Sequence, residues 1–150
     1  MAAMSNYLEN TLIDCIFRGN TFPTASLSNT YVGLFSSASA PTDAGGGTEV
    51  SGGSYARVRI QSTLANWAGT QSAGSTIASS GTSGTTSNNG TITFPTPTAD
   101  WGSIGSFGLF DAATGGNLLF YGALTNAKTV NSGDAAPTFA AASLSIQIDN

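Results

Sequence analysis

The sequence predicts an all-β protein, an antiparallel Greek-key sandwich or jelly-roll-like fold with one short N-terminal helix. Three observations support this class. Residues 55–125 consist of short apolar runs separated by glycine-rich turns, a pattern typical of strands. About seven or eight such runs follow at short spacing, and helical periodicity is confined to the N-terminal segment. The length of 150 residues suits one domain, so residues 1–150 are expected to form a single β-rich unit.

The helix is predicted over about residues 6–18. Asn6 and Glu9 have the spacing of a capping box, with Asn in place of the usual Ser or Thr. Gly19 is suited to the left-handed conformation in which many helices end. Apolar residues recur on one side of this segment: Leu8, Leu12 and Ile16. This stripe is expected to dock on the sheet of the same chain or on a neighbouring subunit.

Two of the predicted strands differ in how many of their faces are apolar. Residues 30–36 carry apolar side chains on both faces, so this strand should be central and covered on both sides. Residues 55–62 alternate between apolar and polar side chains, so this strand should have one wet face. The side chains expected on its wet face are Arg57, Arg59 and Gln61. The two arginines are expected to be solvated or to pair with carboxylates.

The later strands are predicted at residues 92–94, 104–110, 118–125, 128–130 and 144–148. Residues 111–117 are rich in Asp, Gly and Asn, which predicts a hairpin connection between two of these strands. Both strands of that hairpin have apolar residues on both faces. They are therefore expected inside the sandwich or at a subunit interface.

Two long loops interrupt this pattern. Residues 38–53 contain five glycines. Residues 69–90 are rich in Ser, Thr and Gly and contain one strongly apolar residue, Ile77. Because so little apolar surface cannot offset the entropy of ordering, this segment is expected to be a long loop or a strand with a loose tip. It could serve as a contact arm or be a mobile insertion.

The composition excludes several kinds of chemistry. The chain has four basic and eight acidic residues, a net charge of -4, no histidine and one cysteine. Without histidine, Ser-His-Asp and Cys-His arrangements cannot form. The lone Cys15 excludes an intrachain disulfide and a thiolate zinc site. Four basic residues are too few for a nucleic-acid surface. The chain is therefore expected to be no enzyme and to bind no cofactor and no nucleic acid.

Three weaker alternatives remain open at this stage. Carboxylates and an amide in turns could converge on a calcium ion: Asp100, Asp111, Asn117 and Asp134. A pair of carboxylates could hydrolyse a glycoside. Aromatic rings could form a sugar platform: Tyr31, Tyr55, Trp67, Trp101 and Tyr121. The chain has no apolar run long enough to cross a bilayer, and residues 1–10 lack the basic start of a secretory signal, so no membrane partner is expected.

Several segments, spread over nearly the whole chain, carry a family resemblance. They are SNYLEN (residues 5–10), YVGLF (31–35), GTEVSGGSYAR (47–57), ITFP (92–95), ADWG (99–102), FGLFDAATGGNLLFY (107–121) and the turn at residues 133–134. Together they resemble a family of small tailed-bacteriophage virion proteins, variously described as minor tail, tail fibre or head decoration proteins. The Ser/Thr/Gly segment at residues 69–90 is an addition relative to shorter members.

The resemblance implies a virion protein that is made in the host cytoplasm. The favoured interpretation is a capsid decoration or cement protein on the capsid surface, a homo-oligomer and by preference a trimer, which binds across subunits of the major capsid protein. The alternative is a tail-tip or tail-fibre component that contacts the host surface and partner tail proteins. A glycan-binding or glycan-degrading module is a weaker alternative. The candidate assembly contacts are Leu8, Leu12, Ile16, Val50, Trp67, Ile77 and Trp101.

Overall fold

The computed structural model describes residues 2–23 and 27–148. Over these ranges the protein is mainly β with a single α-helix, which confirms the predicted class. The elements in chain order are β1 (Ala3–Met4), α1 (Asn6–Phe17), β2 (Asn29–Ser36), β3 (Val58–Gln61), β4 (Thr85–Ser87), β5 (Ile92–Thr93), β6 (Gly102–Phe110), β7 (Leu118–Val130), β8 (Thr138–Phe139) and β9 (Ser145–Gln147).

The main layer is a five-stranded antiparallel sheet with the strand order β1-β7-β6-β2-β3. β2 lies between β6 and β3, so its predicted central position is confirmed. Two shorter antiparallel pairs, β4 with β9 and β5 with β8, supply the strands that pack against this sheet. β3 is an edge strand of the main sheet, and residues 55–57, which were predicted to belong to it, lie outside the ladder.

The main core lies between the sheet and these shorter pairs. Val32 and Leu109 from the sheet share this core with Phe94 and Leu144. All four side chains are at most 3% exposed. The rings of Phe107 and Phe139 meet edge to face with their centroids 6.1 Å apart. Burial of such side chains stabilises the fold by about 1.5–3 kcal/mol each, so the apolar contacts of this core hold the two layers together.

The opposite face of the sheet carries a second cluster. Phe35 and Phe110 stack there with their centroids 6.1 Å apart, and Leu118 packs beside them. Tyr31 and Tyr121 flank the cluster and are partly buried. β2 is therefore covered on both faces, as its apolar pattern predicts.

The strand predicted at residues 128–130 is not a separate element. β7 runs without interruption from Leu118 to Val130 and pairs with β6 in two stretches. The register changes between the pair Ser106↔Ala123 and the pair Ile104↔Lys128, so extra residues of β7 bulge out between the stretches. The polar residues that the sequence indicates as a break therefore belong to a bulge within one long strand.

The helix agrees closely with its predicted bounds, but its capping differs. Ser5 is the N-cap residue, and its Oγ accepts a hydrogen bond from the backbone N–H of Leu8 at 3.4 Å. The same hydroxyl donates to the carbonyl of Leu118 on β7. The predicted cap, Asn6, is the first residue inside the helix. Ser5 takes this role because its side chain is buried between the helix and the sheet, where both bonds can form.

The predicted loop at residues 69–90 contains one short strand, β4, which pairs with β9. The preceding residues are held by bonds between their own polar groups. The backbone N–H of Gly81 donates to the Thr70 hydroxyl at 3.0 Å, and the Gln71 amide donates to the carbonyl of Ala78 at 2.6 Å. The segment is therefore a polar loop that leads into one short strand.

Candidate functional site

β2 extends beyond the end of β3. Along this stretch its backbone groups form hydrogen bonds with a loop and with a tyrosine side chain instead of with a strand. The backbone N–H of Val50 donates to the carbonyl of Leu34, and that of Ser36 donates to the carbonyl of Thr48, each at 2.9 Å. The backbone N–H of Leu34 donates to the hydroxyl of Tyr55 at 2.8 Å. A short loop segment and one tyrosine therefore replace the missing strand partner.

An ion pair holds that loop segment in place. The guanidinium of Arg57 donates from Nε to Oε1 of Glu49 at 2.8 Å and from Nη2 to Oε2 at 2.7 Å. The hydroxyl of Tyr55 donates to the same Oε1 at 2.9 Å. The carboxylate lies directly over Gly33, where a Cβ atom would approach Oε1 to 2.9 Å. A side chain at that position would therefore push the carboxylate away from its bonds with Arg57 and Tyr55.

Arg57 also connects the loop to the β6–β7 hairpin. Its Nη1 donates to the carbonyls of Ala112 at 3.0 Å and Gly115 at 2.8 Å. Its Cζ lies 3.3 Å from the centroid of the Phe110 ring, close enough for a cation–π contact. The side chain is only 9% exposed. Arg57 therefore pairs with a carboxylate, one of the two expected alternatives, but it does not lie on a wet face, because the loop and the hairpin turn cover it.

Two tyrosine hydroxyls have raised pKa values. Burial raises the pKa of Tyr55 well above its ordinary value, and the nearby negative charge of Glu49 adds to the effect. The hydrogen bond to Asp43 raises the pKa of Tyr121. Both hydroxyls therefore keep their protons to a higher pH than an ordinary tyrosine, and both donate them to carboxylates.

α1 presents an apolar surface to solvent. Only Leu8 is buried along the helix, and the most extensive contact of α1 with another element is with β7. Ile13 is 50% exposed, Ile16 is 66% exposed and Phe17 is 78% exposed. We call these three residues the α1 stripe. They lie three and four positions apart on one side of the helix and are therefore able to contact the same partner.

A second exposed apolar region surrounds Trp67. The indole lines an open depression of about 540 Å³ together with Leu64, Ile148 and several Ser and Thr residues. Leu64 is 54% exposed and Ile148 is 59% exposed. Within residues 2–23 and 27–148, the indole N–H of Trp67 has no hydrogen-bond acceptor. We call this region the Trp67 depression. It combines an apolar floor with an uncharged polar rim.

Residues 3–147 match the protein family described as Podophage GP4 fiber I protein gp80. The chain belongs to this family. The match covers almost the entire sequence, so it includes both the α1 stripe and the ion pair of Arg57 with Glu49. No curated protein sequence matches the chain. The protein is therefore a structural protein of a tailed-phage virion, as the resemblance implies.

Three of the candidate contacts in this fibre-family protein lie in its interior. Leu8 is 6% exposed, and Val50 and Trp101 are each 8% exposed. Leu8 is held at the buried start of the helix beside Ser5. Val50 turns inward because its backbone pairs with β2. Trp101 donates its indole N–H to the carbonyl of Gly53 at 3.0 Å. These three side chains pack in the interior and stabilise the fold. Contrary to the prediction, they are not available as surface contacts.

The other four candidates reach the surface. Leu12 is half-buried, and Ile16 belongs to the α1 stripe. Ile77 is 65% exposed in the polar loop, and Trp67 is partly exposed in its depression. The sequence pattern did not single out Ile13 and Phe17, although both are more accessible than Leu12. The helical period could have identified both residues, because they lie on the side of α1 that faces away from β7.

The carboxylates in turns are engaged in local bonds. Asp100 accepts the backbone N–H of Ser132 at 2.8 Å, and Asp134 accepts that of Asn131 at 2.8 Å. Asp111 accepts the backbone N–H of Asn117 at 2.7 Å. Within the described residues, no group of three or more His, Cys, Asp or Glu side chains could hold a metal ion. α1 is too short to cross a membrane, and the described ranges contain no longer helix.

Proposed function

We propose that this protein is a structural component of the phage tail fibre. The observation that carries the proposal is the family match, because it spans residues 3–147 and its description names a fibre protein. The sequence favoured capsid decoration with tail fibre as the alternative, and the match supports the alternative better. Partner tail proteins and further copies of the same chain are the expected neighbours.

The surface suits a part that works in changing ionic conditions. With 12 charged residues in 150, few contacts of this protein can depend on ion pairs between exposed side chains, which salt weakens. The shorter of the two described ion pairs, between Arg57 and Glu49, lies within the domain and does not contribute to contacts with other proteins. Apolar contacts and main-chain hydrogen bonds are therefore the expected means of assembly.

We propose that the protein has no enzymatic activity, because the carboxylates that a hydrolase would need are already engaged in hydrogen bonds. Asp100, Asp111 and Asp134 in the turns already accept backbone N–H groups, and Glu49 is held by Arg57 and Tyr55. A glycosidase needs two carboxylates on either side of an open cleft. The test is incubation of the purified protein with surface polysaccharide of the host. We expect no cleavage, and release of oligosaccharides would contradict the proposal.

We further propose that copies of the chain associate through the α1 stripe, by preference as a trimer. Burial of Ile16 and Phe17 would contribute about 1.5–3 kcal/mol for each side chain, which every copy can provide equally. Phe17→Asp should lower the oligomeric state measured by native mass spectrometry. The matched control is Leu64→Asp, which puts the same charge on an exposed apolar site elsewhere. A wild-type protein that is monomeric at high concentration would contradict this part of the proposal.

The location in the particle is tested by counting. Quantitative mass spectrometry of purified virions gives the number of copies relative to the major capsid protein, and gold-labelled antibodies give their position. A tail-fibre component should be present in a handful of copies and be labelled at the tail. Hundreds of copies with label over the head would support capsid decoration instead and contradict the proposal.

The Trp67 depression favours one further role, contact with an uncharged glycan at the host surface. An indole face packs against the apolar face of a sugar, and its free N–H together with the Ser and Thr rim could bind hydroxyl groups. Trp67→Ala should then reduce adsorption of phage to host cells while leaving copy number unchanged. Adsorption at the wild-type rate would exclude this role.

A further inference from the structure

A groove lies between the outer edges of two strands. It has a volume of about 270 Å³, and residues of β3 and of β5 line it. Asn66 and Asn88 line the same groove. β3 is an edge strand of the main sheet, and β5 pairs only with β8 within the described residues. We call this feature the β3–β5 groove.

The register shows which backbone groups of β3 face the groove. The backbone N–H of Ser62 donates to the carbonyl of Ser28, so in this ladder every second residue bonds across to β2. Arg59 and Gln61 therefore direct their N–H and carbonyl groups away from β2. The side-chain amide of Asn66 donates to the carbonyl of Gln61 at 3.2 Å, which agrees with this orientation. For the backbone N–H and carbonyl of Arg59, the described part of the chain offers no partner.

The same reasoning applies to β5. The backbone N–H of Phe94 donates to the carbonyl of Pro137 at 2.9 Å, and Thr93 stands opposite Thr138 in the ladder. Because bonded and non-bonded positions alternate in an antiparallel ladder, Thr93 directs its N–H and carbonyl away from β8. These groups also lack a partner in the ranges that the structure describes. Both sides of the groove thus present unused main-chain donors and acceptors.

The groove also carries an unpaired positive charge. The side chain of Arg59 is exposed and lines the groove. Within residues 2–23 and 27–148, the ion pairs are those of Arg18 with Asp14 and of Arg57 with Glu49, so Arg59 has no carboxylate. On a neighbouring strand, the residue directly opposite Arg59 would carry its side chain on the same face. An Asp or Glu at that position would form the missing pair.

We propose that the β3–β5 groove receives an extended segment of another virion protein, which adds a strand between β3 and β5 and places an Asp or Glu opposite Arg59. Successive residues of a strand direct their backbone groups to opposite sides. One residue of the segment would therefore bond to Arg59 and the next to Thr93. Because the proposal requires only that the protein belongs to the virion, it does not depend on a position in the tail.

A second copy of this chain is a poorer occupant. Its described acidic residues lie in the helix, in turns or in the bond with Arg57, so it has no extended acidic segment to donate over those ranges. Direct pairing of two β3 edges centred on Arg59 would bring like charges together. Charge and main-chain geometry therefore both favour a segment of a different protein.

The first test reverses the charge in the groove. Arg59→Glu is compared with Lys128→Glu, which makes the same change at an exposed cation of β7 outside the groove. Phage carrying Arg59→Glu should contain about tenfold fewer copies of the protein per virion, because the new carboxylate repels the acidic partner. Phage carrying Lys128→Glu should keep the wild-type number. Equal copy numbers for the two variants would overturn the proposal.

A second variant removes a main-chain donor instead of a charge. Thr93→Pro deletes the N–H that faces the groove and leaves the bond of Phe94 to β8 in place. We expect the same loss from virions with a thermal midpoint close to that of the wild type. Full incorporation of a folded Thr93→Pro protein would contradict the added strand. This variant keeps the proposal testable if Arg59→Glu fails to fold.

The identity of the occupant is tested by cross-linking in assembled virions. A photoreactive benzophenone amino acid is placed at Gln61, and the linked peptides are identified by mass spectrometry. The proposal predicts a link to a segment of another virion protein that contains Asp or Glu beside the linked residue. A link only to a second copy of this chain, or no link in assembled particles, would overturn it.

Discussion

Arg57 and Arg59 lie two residues apart in the chain, yet their surroundings are opposite. Arg57 is 9% exposed, pairs with Glu49 and spans to the hairpin turn. Arg59 is exposed and has no carboxylate among the described residues. The first arginine helps to close an edge of β2 with the protein's own residues. The second stands on an edge of the same sheet that the described part of the chain leaves open.

The difference follows from what each position can reach. A buried ion pair is tolerated when further hydrogen bonds satisfy both charges, and the guanidinium of Arg57 donates four hydrogen bonds of 3.0 Å or less. After β3 the chain turns toward Asn66. The side-chain amide of Asn66 donates to the carbonyl of Gln61 and does not bond to the backbone of Arg59. The edge around Arg59 is therefore left for solvent or for a partner.

The largest effect is expected from breaking the closed edge. Arg57→Ala would leave the carboxylate of Glu49 partly buried without its cation and two hairpin carbonyls without their donor. We expect the free energy of unfolding to fall by about 3–5 kcal/mol. Urea denaturation followed by tryptophan fluorescence measures this. A loss below about 1 kcal/mol, as is usual for exposed charges, would contradict a structural role of the pair.

A smaller effect is expected from the tyrosine at the same edge. Tyr55→Phe removes the acceptor of the Leu34 N–H and one donor to Glu49 while keeping the ring. We expect a loss of about 1–3 kcal/mol at neutral pH, because a partly buried donor is left without a partner. The same denaturation experiment measures it. An unchanged stability would show that water replaces the hydroxyl at no cost.

The raised pKa of Tyr55 also predicts how stability depends on pH. Its hydroxyl loses a proton more readily in the unfolded chain, at the ordinary value of 10.0, than in the folded protein. The stabilising contribution is therefore complete below pH 10 and is lost as the pH rises above it. Unfolding experiments in alkaline buffers should show this decline, and Tyr55→Phe should reduce it. An equal decline in both proteins would assign it to other groups.

Shortening the polar loop should have a modest effect. Thr70 and Gly81 are joined by a hydrogen bond, so residues between them can be replaced by a short glycine linker without moving β4. We expect a change in unfolding free energy of at most about 1 kcal/mol, because loop closure depends weakly on length. Circular dichroism and urea denaturation check this. Loss of the folded state would show that this loop supports the packing of Trp67.

The smallest effect on stability is expected at the open edge. Arg59→Ala removes an exposed side chain that has no carboxylate partner in the described residues, so the free energy of unfolding should change by no more than about 0.5 kcal/mol. This variant is the matched control for Arg57→Ala. A loss comparable to that of Arg57→Ala would mean that both arginines support the fold, and the contrast between the two edges would disappear.

Local patterns predicted much of the fold. The hairpin between β6 and β7 followed from two apolar runs around residues 111–117, and the structure has these strands in antiparallel register. The central position of β2 followed from apolar residues on both of its faces. The helix followed from its period. In each case the decisive information lies within about ten residues of sequence, which is the range over which periodicity and turn residues act.

The missed features depend on residues that are far apart in sequence. The capping by Ser5 depends on Leu118 as well as on the helix, and Trp101 is buried because its indole reaches Gly53. The ion pair of Glu49 with Arg57 joins a glycine-rich loop to a strand end with no periodic signal. The open edge around Arg59 can be recognised only after the strand order is known. Contacts of this kind require the three-dimensional register, which sequence patterns do not contain.

The most direct test compares hydrogen exchange at the two edges. In the isolated protein, the backbone amides of Leu34 and Val50 should exchange slowly, whereas those of Arg59 and Thr93 should exchange rapidly. In intact virions the second pair should become protected, because the proposed partner strand accepts their hydrogen bonds. If Arg59 and Thr93 exchange as rapidly in virions as in the isolated protein, the account of an edge left open for a partner is contradicted.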